Sequence, residues 1–414
     1  MSEGVLTLPR VVGRIRSLAW YFWRFVFAAL MAAGAYATWA RITRGLGGVT
    51  NLSDRFPWGI WVGFDVLCGV GLAAGGFTLV AAVHIFNIER YKPIVRPAVL
   101  TAFLGYLLVV LALLFDLGRP WNIWHPLIMW NPRSVMFEVA WCVTLYSTVL
   151  ALEFVPAVLE KLQWRRTLAW LRVISVPLVI AGVILSTLHQ SSLGSLFLIV
   201  PNKLYPLWYS PMLPVMFFVS AVCAGLAMTI FESWHSSRSF GRQLEMPLLN
   251  GMARLLAVLL AVFLTIRFLD LLHRDALGLL LVNRTETWLF WLESALFAIP
   301  TALLLSRHIR HNPVSLYFMA LLVLFGFIAN RLNVSVTGME AASGVHYVPR
   351  WTEVAITLAI CALGFAVFRW AVLNLPVFEQ REAAEERTAR GGVLPESAEP
   401  DAGRDHGARL RAEP

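Results

Sequence analysis

Ten apolar stretches of about twenty residues each recur through this chain, separated by short polar loops. A helix needs about that length to cross the hydrocarbon core of a bilayer. Inside hydrocarbon every backbone N–H and C=O must be paired within the protein, and runs this long and uninterrupted fit only the helical solution. The predicted fold is therefore all-α: a polytopic membrane bundle of about ten transmembrane helices. Composition agrees, since 58% of residues are hydrophobic and 14% charged, against roughly 45–50% and 25% in soluble domains. The spans fall near 18–40, 58–86, 98–118, 133–158, 168–189, 212–232, 247–271, 286–306, 314–336 and 352–374. The second and fourth exceed a straight crossing, which predicts tilt.

Residues 1–17 form a short N-terminal segment, 18–375 the membrane domain, and 376–414 a Glu/Arg/Ala/Gly/Pro-rich tail that reads as disordered. The basic N-terminus precedes a stretch long enough to span, so no cleavable signal peptide is expected. The net charge of +9 does not point to nucleic acid, because its Lys and Arg sit in short loops. There they set topology: one set of loops and both termini carry the excess, which places both termini in the cytoplasm. Cys68, Cys142, Cys223 and Cys361 are isolated within spans, with no CxxC and no Cys/His cluster. Buried thiols acting as small apolar residues explain them, and iron–sulfur or structural zinc sites are not expected.

Intramembrane charge is concentrated toward one end of the spans. Asp65, Asp116, Glu138, His189, Arg267, Asp270, Glu286, Glu293, Arg331 and Glu353 all lie in outward-facing halves or at their ends. Such groups cost at least about 2.5–3.5 kcal/mol each at a helix centre. Some have ordinary explanations. Arg267 and Asp270, a turn apart, can pair with each other; Arg331 and Glu353 can be snorkelling anchors. The tryptophans of the long external loops (Trp58, Trp61, Trp121, Trp124, Trp130, Trp208 and Trp351) fit an interfacial belt. Asp65, Glu138 and His189 resist such readings, because GFDVLCG, VMFEVAW and LSTLHQSS surround them with apolar or small residues.

A carboxylate and a histidine in a partly desolvated pocket suit coupled proton and electron transfer to a quinone, whose two oxygens take hydrogen bonds and protons from titratable partners. Glycines in WVGFDVLCGVGLAAGGF permit close helix packing or close approach of a flat ligand. A proton or ion translocator would also use intramembrane charge, more typically at the midplane on broken helices. Bis-His haem ligation is disfavoured, because His84 and His189 lie toward opposite ends of their spans.

In order along the chain, PWGIWVGFDVLCGVGLAAGGF, FNIERYKPIVRPA, DLGRPWNIWHP, NPRSVMFEVAWCVTLY, ALEFVPAVLE, LSTLHQSSLGSLF and LYPLWYSPMLP resemble the NrfD/PsrC-type integral membrane subunits. The likeness is greatest to the branch serving periplasm-facing uptake [NiFe]-hydrogenases. The resemblance covers about residues 50–375. It implies two four-helix bundles (about 58–189 and 212–336) with flanking helices at 18–40 and 352–374, in a bacterial inner membrane. It implies no haem or iron–sulfur cluster in this chain, menaquinone or ubiquinone as exchangeable substrate, and a periplasmic iron–sulfur electron-transfer subunit joined to catalytic large and small subunits. Glu138 and His189 match positions associated with quinone and proton handling; Asp65, Asp116, Arg119 and Trp58 are further pocket candidates. The same role beside a molybdenum polysulfide or sulfur-compound reductase is the alternative within the class.

Overall fold

The computed structural model describes residues 10–84, 88, 91–199, 204–240 and 244–377. The predicted tail at 376–414 therefore lies almost wholly outside the described residues. In chain order the helices are α1 (Arg10–Arg44), α2 (Leu67–Leu72), α3 (Gly75–His84), α4 (Lys92–Asp116), α5 (His125–Ile128), α6 (Val135–Leu162), α7 (Arg165–Val173) and α8 (Ser175–Ser195). Then follow α9 (Leu213–Phe240), α10 (Met246–His273), α11 (Thr285–Leu303), α12 (Arg307–His311), α13 (Pro313–Leu332), α14 (Gly338–Ser343) and α15 (Trp351–Asn374). π-Helical turns at Trp61–Val66 and Asn333–Thr337 lead into α2 and out of α13.

Nine helices among the described residues are long and apolar enough to cross a membrane. The predicted span missing from that set is α11, which carries Glu286 and Glu293. It nevertheless runs the length of α10. At its start Thr287 and Trp291 donate to the carbonyls of Leu279 and Leu280, just beyond the end of α10. At its far end Arg310 donates to the carbonyls of Leu304 and Leu305 and to Asn250, in the first turns of α10. A helix that parallels a spanning neighbour from end to end spans with it, and its carboxylates are what lower its hydropathy.

The second predicted span is broken rather than merely tilted: α2 ends at Leu72 and α3 begins at Gly75. The glycines here serve helix packing. A Cβ at Gly71 would lie 2.1 Å from the Phe327 ring, and one at Gly63 would lie 2.5 Å from Ser335 Oγ. Gly63 thus lets the two π-helical turns meet, and Gly71 lets α2 approach α13.

α2 to α8 and α9 to α13 form two groups that pack along α8–α9, α2–α9 and α2–α13. α1 and α15 lie against each other, and α15 also packs on α4. They are antiparallel: Tyr36, near the end of α1, stacks on Trp351 at the start of α15. The first end of α1 and the last end of α15 therefore share one side. The long loops 45–60, 117–134 and 344–350 gather at the opposite, loop-rich end, and the basic connections lie at the other.

Three expectations change. Trp61 and Trp208 are not belt residues; they are 1% and 3% exposed. Trp61 donates to the Glu353 carbonyl at 3.2 Å and Trp208 to the Glu293 carboxylate at 3.0 Å. Arg267 and Asp270 do not pair with each other: Arg267 binds Glu293, and Asp270 binds Arg274. Arg331 and Glu353 do not snorkel, being 1% and 0% exposed. In each case partners that packing supplies, and that the sequence does not show, decide the outcome.

Candidate functional site

On α8, Ser186, His189, Gln190 and Leu193 recur at helical spacing and are all buried. They face α6, α4 and α2. His189 is fully buried, and neither ring nitrogen has a hydrogen-bond partner among the described residues. Tyr106 of α4 lies with its ring 5.7 Å from the imidazole and 4.7 Å, edge-on, from Tyr146 of α6. The Tyr106 and Ser147 hydroxyls and the Gln190 Oε1 are likewise buried without hydrogen-bond partners among the described residues, while the Tyr146 hydroxyl lies beside that of Ser186. Gln190 spends its amide on the α2 backbone, donating to the Val70 carbonyl at 3.2 Å.

Buried polar groups in folded proteins are nearly always paired, and each that is not costs about 1–3 kcal/mol. Here unpaired polar groups of α4 and α8 meet at one histidine, with Tyr146 of α6 packed behind Tyr106. Such a cluster is suited to a polar guest with more than one hydrogen-bonding atom.

α6 links this cluster to the loop-rich end. Glu138, Cys142 and Tyr146 are spaced i, i+4, i+8, so they share one face. Glu138 is exposed in the first turn, behind the Ser134 cap, at the loop-rich end. Cys142 is buried one turn further in, toward Tyr146. Aromatic rings lie beside Glu138 on α6: Trp141 lies 5.0 Å from Trp130 and 6.1 Å from Phe137. Its indole N–H donates to the Pro126 carbonyl at 2.8 Å, tying the α5 loop to α6.

The other predicted site residues lie elsewhere. Asp65 sits on the π-helical turn before α2 and accepts from Thr357 of α15 at 2.7 Å. It therefore faces α15, whereas the His189 helix touches α2 through Val70. Asp116 ends α4 beside Arg41, which donates to the carbonyls of Phe115 and Leu117. Glu353 anchors this side by accepting from Tyr347 Oη at 2.6 Å, Arg350 N at 2.8 Å and Asn51 N at 3.1 Å. Burial and that carboxylate contact push the Tyr347 hydroxyl, which lies in a loop, well above its ordinary pKa. Arg119 is exposed in its loop. Trp58 is half-buried, edge-on to Phe197 at 5.8 Å. The predicted pocket thus divides into a His189–Glu138 arm and an Asp65–Asp116 arm.

A third cluster holds the second group of helices together. Glu293, fully buried, receives Arg267, Asn330 at 2.7 Å, Asn333 at 2.8 Å and Trp208 at 3.0 Å. Arg331 bonds Asn330, the Phe217 carbonyl and Ser220. Almost every donor here is satisfied, which marks the cluster as structural. Among the described residues no three His, Cys, Asp or Glu side chains converge as metal ligands.

Fold and site together define a polytopic helical membrane protein with a buried cluster of polar side chains around His189. The chain belongs to the NrfD family, described as polysulphide reductase, NrfD, which matches residues 48–341. That match leaves out α15 and all of α1, the two flanking helices. The chain is 36% identical to the probable Ni/Fe-hydrogenase 2 b-type cytochrome subunit of Escherichia coli K12, over 81% of this chain and 87% of that protein. It is 30% identical to the menaquinone reductase integral membrane subunit of Nitratidesulfovibrio vulgaris, over 88% and 92%. The Hdr-like menaquinol oxidoreductase integral membrane subunit of Archaeoglobus fulgidus is 27% identical over 67% and 68%.

Tyr106, Tyr146, Ser186 and Gln190 escaped the sequence reading. The four-residue spacing of Glu138, Cys142 and Tyr146 is a signal that points to Tyr146. Nothing local distinguishes Tyr106, which reaches the pocket only through helix packing.

Proposed function

We propose that this chain is the quinone-reactive membrane subunit of a respiratory oxidoreductase. It exchanges electrons and protons between membrane quinone and an iron–sulfur subunit docked at the loop-rich face. The observation that carries this reading is the orphaned polar cluster around His189, with Glu138 on the same face of α6 as Tyr146. A quinone supplies two ring oxygens to such donors and carries the electrons when bound. His189 and the two tyrosine hydroxyls orient the ring oxygens by hydrogen bonding, and Glu138 moves protons between the pocket and the loop-rich side. The aromatic rings beside Glu138 keep bulk water from the imidazole.

Two of the relatives, named as a menaquinone reductase subunit and a hydrogenase subunit, support this class of partner. The higher identity to the hydrogenase subunit favours an uptake [NiFe]-hydrogenase, with its catalytic subunits in the periplasm. Basic loops at the opposite end support a cytoplasmic position for that end and both termini, in a bacterial inner membrane. The isolated cysteines argue against a cluster in this chain.

Glu138→Gln keeps shape and hydrogen bonding but removes the titratable proton. The assembled complex should lose about 10²-fold or more of its quinone-linked turnover. His189→Ala should weaken quinone binding as well as turnover. Electron transfer to a soluble dye should survive both changes. Near-normal quinone reduction in both variants would show that the site lies elsewhere.

A further inference from the structure

A cavity lies on the far side of α2 and α4 from His189. α15 packs on α1 and α4, while α9 packs on α8, α10 and α13. Between α9 and α15 a cleft of about 610 Å³ opens, floored by α2 and α4. That is the size of a pocket for a whole ligand, roughly 300–1,000 Å³. Its walls are apolar and aromatic, with Phe231 on one side and Phe365 and Phe368 on the other.

Polar groups sit at its two ends. Asp65, bonded to Thr357, closes the inner end. At the basic end lie His235, Ser236, Ser239 and Arg369. Arg369 is exposed and makes no ion pair among the described residues. His235 is held by Tyr317 Oη at 3.2 Å. One turn deeper, Glu232 accepts from Thr101 at 2.9 Å, while its other oxygen is sealed from solvent without a partner among the described residues.

Thr357 and Arg369 are twelve residues apart on α15, about 18 Å at helical rise. One leaflet of a hydrocarbon core about 30 Å thick is close to that depth. The cleft therefore matches an acyl chain that enters near the surface at the basic end and runs past the midplane toward Asp65. Its surface end offers a guanidinium, an imidazole and hydroxyls, the donors a phosphate takes. Glu232 stands at the depth of the ester groups, where its carboxyl, when it holds a proton, donates to an ester carbonyl.

We propose that this cleft binds one anionic phospholipid of the leaflet at the basic end, its phosphate at Arg369, His235 and Ser239 and one acyl chain lying between the phenylalanines toward Asp65. The lipid seals the gap between α9 and α15. This site is independent of the quinone reading.

The full-length chain, purified in mild detergent and exchanged repeatedly, should retain one phosphatidylglycerol or cardiolipin, identified by mass spectrometry of the extract. Added dioleoylphosphatidylglycerol should raise the thermal midpoint of delipidated protein, and dioleoylphosphatidylcholine should do so less. Arg369→Gln should weaken retention about fivefold, the share of one basic side chain at a lipid surface. Cys361→Trp, which fills the cleft from the α15 wall, should abolish retention. Retention unchanged in both variants, no retained lipid, or a quinone as the retained molecule would each overturn the proposal.

Discussion

Tyr106→Phe separates a site from a merely imperfect core. The ring packs edge-on against Tyr146 at 4.7 Å and against His189 at 5.7 Å. Phenylalanine keeps both contacts and removes only the hydroxyl, which is fully buried and has no protein partner. No internal hydrogen bond is lost. The fold instead sheds the desolvation penalty of an unpaired group, about 1–3 kcal/mol. Stability should therefore stay level or rise. Quinone turnover should move the other way. A neutral hydrogen bond contributes about 0.5–1.5 kcal/mol net, which is a fall of at most about tenfold. The assay pairs thermal unfolding of the purified complex with quinone and dye reduction in membranes. Unchanged turnover with raised stability would make the hydroxyl a packing defect and refute its role. Lost stability would refute the structural premise.

Glu293→Ala should destabilise the chain by about 3–5 kcal/mol, because Arg267 would be left buried without its counter-charge; a thermal midpoint close to wild type would show that the cluster is not a fold determinant. Reporter fusions after Leu373 and beside Trp124 should report opposite compartments, and an external C-terminus would overturn the orientation. Photocrosslinkers in the 119–132 loop and in the 196–211 connection after α8 should capture the iron–sulfur partner while the 159–167 segment captures none; capture only at the latter would put the docking face on the wrong side. The purified subunit should show no stoichiometric haem absorbance, and a haem spectrum would revive a cytochrome mechanism.

The helices and their number were legible because hydrocarbon leaves a chain few choices: each span announces itself by length and apolarity, independently of its neighbours. Even α11, with two carboxylates, was placed this way. The clustering of charge toward one end was equally plain, and His189 and Glu138 stood out against apolar surroundings. Pairing was not legible. Whether Arg267 meets Asp270 or Glu293 depends on which helix lies alongside, and a one-turn neighbour is only the nearest candidate. Burial was not legible either, since a tryptophan near a span end reads the same whether it is exposed, as Trp351 is, or meets an internal carboxylate, as Trp208 does. The division of the predicted pocket had the same cause. Asp65 and His189 lie on helices whose spans are evident, but the direction a side chain faces on a uniformly apolar helix carries no periodic signal. The sequence alone determined which segments cross the membrane and where their polar residues lie along the axis. Rotation of each helix about that axis, and hence which polar groups meet, was decided only by tertiary packing, through contacts such as Gly63 on Ser335 and Gly71 on Phe327.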